Sequence, residues 1–137
     1  MRINYNKIFL TFILCIAFSI NVFAADYCAQ TVSCKNNQCE TKEGLSKFDS
    51  LEYFEGSSLK DTKKDGKYFY TGAAIVDGNI GPLKCIYDLD NKHSPYIARI
   101  LLQFNQNYKP EYPNKWYDAI NPRVCKSKNR LECGVIK

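Results

Sequence analysis

The sequence predicts a mainly β domain, a small antiparallel meander or sandwich stapled by disulfides, with α+β as the alternative if one short helix forms. Three observations predict it. Between Lys67 and Leu89 two apolar runs, Tyr68 to Val76 and Leu83 to Leu89, flank Asp77-Gly78-Asn79-Ile80-Gly81-Pro82. That cluster supplies positive φ and fixed turn dihedrals, so the stretch reads as a β-hairpin with a longer loop. In the second run Leu83, Cys85, Tyr87 and Leu89 share one face and Lys84 and Asp88 the other, the period of two of a half-buried strand. Cys85 therefore points inward and is expected to tie the hairpin to another part of the chain. The second observation is six cysteines behind an export leader. The third is Pro110, Pro113 and Pro122, which exclude a long helix or a central strand from the tail.

The leader is Met1 to Ala24. Arg2 and Lys7 precede the apolar run Ile8 to Ile20, and Val22-Phe23-Ala24 ends in small residues at the −3 and −1 positions of a cleavage site. The run is about 13 residues, short of the roughly 20 a bilayer-spanning helix needs, and no later segment approaches that length. Residues 25–137 are therefore expected to be exported as one domain, periplasmic or secreted, without stable membrane insertion. A lipid on Cys15 is the rival reading, and Leu14, standing where lipoprotein signals carry a small residue, argues against it. The formal charge of +5 falls once Arg2 and Lys7 leave with the leader, too weak a bias to imply nucleic acid or anionic lipid.

Without Cys15 the cysteines are Cys28, Cys34, Cys39, Cys85, Cys125 and Cys133, an even set in an exported chain, which reads as three disulfides. A zinc site is disfavoured, because no His stands at finger spacing. Thr31 to Cys34 and Cys39 to Thr41 flank Lys35-Asn36-Asn37-Gln38, so a short hairpin would bring Cys34 near Cys39. A bridge across it and a bridge from one of them to Cys85 both stay open. From Gly44 to Glu55, Leu45, Phe48, Leu51 and Phe54 recur every third position and Gly56 follows, which suits a short helix. Gly56 to Lys67 mixes Lys60, Lys63 and Lys64 with Asp61 and Asp65, a solvated loop. Asn91 to Pro95 makes a turn. Tyr96 to Phe104 then alternates as a strand would, with a helix as the alternative, and a third meander strand is favoured by the short connection. In the tail, Cys125 and Cys133 flank the basic CKSKNRLEC loop, where a local bridge is the preferred pairing.

With C-x5-C-x4-C after the leader, an aromatic strand ending in Ala73-Ala74, and GPLKCIYDL, the stretch from Cys28 to Leu89 resembles a family of small uncharacterised bacterial secreted proteins. The resemblance implies an exported bacterial domain and brings no activity.

Catalysis near neutral pH usually draws on His, and the one histidine, His93, sits in a turn. Ser94 beside it lacks a nucleophile context, and Asp88 and Asp90 do not make a triad from sequence alone. Oxidised cysteines supply no thiolate. A carboxylate pair among Glu40, Glu43, Asp49, Glu52 and Glu55 is the remaining enzymatic route, with nothing in the spacing to select two. Asp88-Leu89-Asp90-Asn91 starts like a calcium loop, but Lys92 takes the place of the next ligand. No catalytic residue, metal or cofactor is expected. The tail is the place where aromatic residues gather: Tyr108, Tyr112, Trp116 and Tyr117 are candidate binding residues, since amphipathic rings in irregular segments stack on sugars or anchor in protein pockets. Trp116 reads equally as the plug of a small core, and a domain of this size favours that role. The functional expectation is a non-enzymatic exported module that binds an extracytoplasmic protein or glycan. An inhibitor or immunity-type protein using CKSKNRLEC or DGNIGP is the first alternative, and a small carboxylate-dependent hydrolase the second.

Overall fold

Among the described residues of the computed structural model there are nine strands, and seven follow one sheet path, β2 (Gln38–Lys42), β1 (Thr31–Lys35), β5 (Gly66–Ile75), β6 (Gly81–Leu89), β7 (Ala98–Pro110), β3 (Ser50–Glu55) and β4 (Ser58–Lys60), every neighbour antiparallel. The structure describes residues 24–89, 97–117 and 122–137, so residues 1–23 of the expected leader and the expected Asn91–Pro95 turn with His93 lie outside the described residues. The other two strands are β8 Arg123–Cys125 and β9 Val135–Ile136. Short 3-10 turns occupy Pro113–Lys115 and Arg130–Cys133. The meander β5-β6-β7 is the centre of the sheet. A two-strand hairpin flanks it on each side.

The central hairpin forms where the alternation places it, with one feature that alternation alone does not show. Tyr68 and Tyr70 face inward opposite Leu89 and Tyr87, yet further along it is Ala73 and Ile75 that oppose Cys85 and Leu83. The inward positions change from even to odd because a β-bulge between Tyr70 and Gly72 absorbs one residue. Without it, the apolar run would turn its second half to the wrong face. Gly72 also suits the site because β8 passes close by: a Cβ there would stand 3.1 Å from the Cys125 carbonyl oxygen.

Tyr96 to Phe104 is expected to hold a strand, and β7 is that strand, running on to Pro110 with Ala98, Ile100, Leu102 and Phe104 buried in alternation. Pro110 ends it, where the missing N–H costs least. The expected helix over Gly44 to Glu55 does not form. Residues 50–55 are β3, paired along their whole length with β7, and Gly56 turns the chain into β4 at φ 61° instead of stopping a helix. The apolar spacing was met differently: Leu45, Phe48 and Leu51 all pack on the core, the first two from irregular backbone. A strand edge with unpaired N–H and C=O groups outweighed a weak local helix preference.

Tyr53 of β3 and Tyr68 of β5 meet edge to face at 6.4 Å although β6 and β7 lie between them. Strands spaced about 4.8 Å apart would hold these positions about 14 Å apart in a flat sheet, so the sheet curls around its core. The open side is closed by the segment before β1 and by β9. Val135 of β9 pairs with Pro110, and Asp26 exchanges two backbone hydrogen bonds with Val135, of 2.7 and 2.9 Å.

Three disulfides staple this arrangement, Cys28–Cys85, Cys34–Cys39 and Cys125–Cys133. Cys85 faces inward from β6 and reaches the segment before β1. Cys34 and Cys39 stand directly opposite in the first hairpin, with Cα atoms 4.1 Å apart, across a two-residue turn in which Asn36 and Asn37 both have positive φ. All six described cysteines are oxidised, which fits an oxidising compartment. Among the described residues no helix is long and apolar enough to cross a membrane.

Candidate functional site

The four aromatic candidates of the tail divide into two pairs. Tyr108 is 2% exposed and Trp116 3% exposed, both part of the continuous core. Tyr108 takes an inward position of β7, and Trp116 closes the core beside the last disulfide, so neither is a surface anchor. Tyr112 and Tyr117, by contrast, are 50% and 63% exposed. They stand on either side of the Pro113–Lys115 turn.

That turn is fixed by its neighbours. The Tyr117 N–H donates to Val124 O at 2.8 Å, placing Tyr117 beside β8, which itself pairs with Ala73–Ile75 of β5. Arg123 joins two loops: its Nη2 donates to the Pro113 carbonyl at 3.1 Å and its Nη1 to Asn79 Oδ1 at 3.4 Å. The DGNIGP loop, with Ile80 exposed, and the aromatic turn therefore belong to one end of the molecule. The CKSKNRLEC loop borders the aromatic turn. The Asn129 side chain caps its 3-10 turn by accepting from the Leu131 N–H at 3.1 Å, leaving the Leu131 side chain exposed.

Between turn and loop lies a hollow of about 320 Å³ lined by Asn114, Lys115, Trp116, Tyr117, Lys126, Ser127 and Glu132. The Lys126 ammonium sits 5.6 Å from the centre of the Tyr117 ring. Glu132 accepts from Ser127 Oγ at 2.7 Å and lies 3.9 Å from Lys115 Nζ. The Trp116 indole nitrogen is buried with no hydrogen-bond partner. An indole N–H can only donate, so it wants an acceptor.

A second cleft, about 420 Å³, opens where Ala25, Asp26, Tyr27 and Lys137 meet β7. Asp26 and Asp49 both line it, and the Tyr108 hydroxyl beside them has its pKa pushed up by burial first and by these two carboxylates second. Asp49 also accepts from the Asn105 N–H at 2.7 Å. Sequence spacing offered no means of pairing Asp26 with Asp49; the cue was their position at the two ends of segments that tertiary pairing brings together. Lys47, Gln106 and Lys137 line the same cleft, so its charges are mixed.

The other carboxylates named from sequence do not gather. Glu40 is on β2 at one edge of the sheet, while Glu52 and Glu55 are on β3 near the other, and Glu55 accepts from the Tyr53 hydroxyl at 3.0 Å. Glu43 occupies a tight turn at φ 60°. Asp88 is held by Arg99 through two hydrogen bonds of 2.7 and 3.0 Å, which occupies the carboxylate that a calcium loop or a triad would use. Asp90, His93 and Ser94 lie outside the described residues. No family model, no curated protein and no solved structure matches this chain.

Proposed function

We propose that this chain is an exported, non-enzymatic binding module, matured by removal of Met1 to Ala24, whose contact surface is the stapled tail. Its partner is an extracytoplasmic protein or glycan. One observation carries the reading: Tyr112 and Tyr117 are exposed rings on a turn that β8, Arg123 and the Cys125–Cys133 bridge hold still. A rigid aromatic ring offers a large contact area and gives up little conformational freedom on binding. The buried Trp116 and Tyr108 serve this surface from beneath by fixing the backbone that carries it.

The test is retention of purified residues 25–137 on an envelope fraction immobilised on beads. Tyr112→Ala combined with Tyr117→Ala should weaken retention about thirtyfold, equivalent to about 2 kcal/mol, while the melting temperature stays within a degree or two. Equal retention of variant and parent would overturn the assignment of the tail.

An inhibitor reading is favoured by a different observation. Leu131 projects from a disulfide-closed, capped loop, the form of a loop that enters another protein's cleft. Under that reading Leu131→Ala weakens retention more than the tyrosine pair does.

A further inference from the structure

The hollow beside Tyr117 carries more positive than negative charge. Lys115 and Lys126 bring two ammonium groups, which only donate, while the Asn114 amide and the Ser127 hydroxyl can each donate and accept. The one carboxylate among the lining side chains, Glu132, already accepts from Ser127 and faces Lys115. Two cations stand against one anion. The Lys115 contact, at 3.9 Å between half-exposed side chains, is loose and leaves the ammonium free to turn towards a ligand. What the hollow lacks is a second negative charge.

Shape narrows the class. Tyr117 offers an exposed ring face at the rim, and about 320 Å³ is at the small end of ligand sites, room for a single sugar ring rather than a folded partner. A pyranose presents an apolar C–H face to an aromatic ring and polar groups around its edge. A protein partner would instead need about 800 Å² of contact on this side with an apolar centre, whereas the large apolar side chains exposed on the described part of the tail are Tyr112, Tyr117 and Leu131.

We propose that the hollow between the Pro113–Lys115 turn and the CKSKNRLEC loop is a subsite for a carboxylate-bearing sugar of the uronate class. The sugar ring lies on Tyr117 and its carboxylate is held between Lys115 and Lys126. This rests on the reading of the tail as the contact surface and specifies its ligand.

Trp116 is the only tryptophan in the chain, so its emission reports directly on the hollow. Purified residues 25–137 are titrated with oligogalacturonate, with the same oligomer as its neutral methyl ester, and with a polyglutamate peptide, following Trp116 emission and heat. Oligogalacturonate should shift the emission and saturate, the ester should bind at least about tenfold more weakly, and polyglutamate should not saturate. Lys126→Gln and Lys115→Gln should each cost about tenfold in oligogalacturonate affinity, as expected of a lost charge-assisted hydrogen bond, and each should flatten the salt dependence. Both lysines are on the surface, so the variants remain folded. Equal affinity for acid and ester would overturn the carboxylate assignment while leaving the tail as a contact surface. Tighter binding of polyglutamate would replace the sugar with an acidic protein segment. Failure of all three probes overturns the subsite, and the tail itself is then judged by whether the Tyr112 and Tyr117 pair still governs retention on the envelope fraction.

Discussion

The central meander and the tail reach rigidity by different means. β5, β6 and β7 are held by continuous ladders, with Tyr68, Tyr70, Ile75, Leu83, Tyr87, Ile100 and Leu102 alternating into a shared core. The tail after Pro110 has little regular pairing: two 3-10 turns, three residues of β8 and two of β9. Its order comes from point attachments, namely the Cys125–Cys133 bridge, the Trp116 plug, Arg123 and the Asn129 cap. Continuous ladders bury a surface, whereas point attachments can fix a backbone and still leave side chains outside. That difference explains why the exposed rings of the tail lie in its irregular part.

The sharpest way to separate the two regions is to remove bridges one at a time. Cys28–Cys85 closes 57 residues, Cys125–Cys133 eight and Cys34–Cys39 five. On loop entropy alone, replacing both cysteines by Ala should cost about 4 kcal/mol for the first, about 2.5 for the second and about 2 for the third. Denaturant melts of the three double variants should keep that order, and a tail bridge that matters more than Cys28–Cys85 would mean that the meander leans on the tail.

Next in size is Trp116→Ala, expected to cost about 3 kcal/mol or more of folding stability. Tyr117→Ala, one residue away but exposed, should stay within about 0.5 kcal/mol. Similar melts for both would contradict the division of the tail into core and surface rings.

The meander should confer an alkaline limit. Tyr70 and Tyr87 face each other at 6.3 Å in the core, and burial, aided at Tyr87 by its neighbour, holds both pKa values well above the ordinary value near 10. The unfolded chain loses those protons first, so it binds fewer protons than the folded chain above pH about 10. Stability is therefore fully present below that pH and falls as pH rises, by up to about 1.4 kcal/mol per unit for each tyrosine. Melts between pH 9 and 12 check this, and Tyr87→Phe should reduce the slope. The smallest effect is expected at Arg99, whose exposed pair with Asp88 links β7 to β6; Arg99→Ala should cost less than about 1 kcal/mol, read from the same melts.

Short-range patterns in the chain account for the local part of this protein. Alternation in Leu83 to Leu89 and in Tyr96 to Phe104 placed strands because a sheet face has period two whatever covers it. The loop DGNIGP marked a turn through residues that tolerate its dihedrals, and Cys125 and Cys133 flanked a loop short enough to close on itself. The aromatic tail also drew notice as a site, although nothing local separated Tyr112 and Tyr117 from Tyr108 and Trp116.

Tertiary structure decided the rest. Leu45, Phe48, Leu51 and Phe54 kept a helical spacing, and the open edge of β7 took half of that segment as a strand. The bulge at Tyr70 to Gly72 reversed the parity of β5, a choice made by the partner strand. Cys28 found Cys85 only after β1 and β6 were in place, and the exposure of each tail ring followed from how β8 and the last disulfide packed over β5. Each of these outcomes depends on groups far apart in the chain, whose approach is set by the sheet and not by spacing along the sequence.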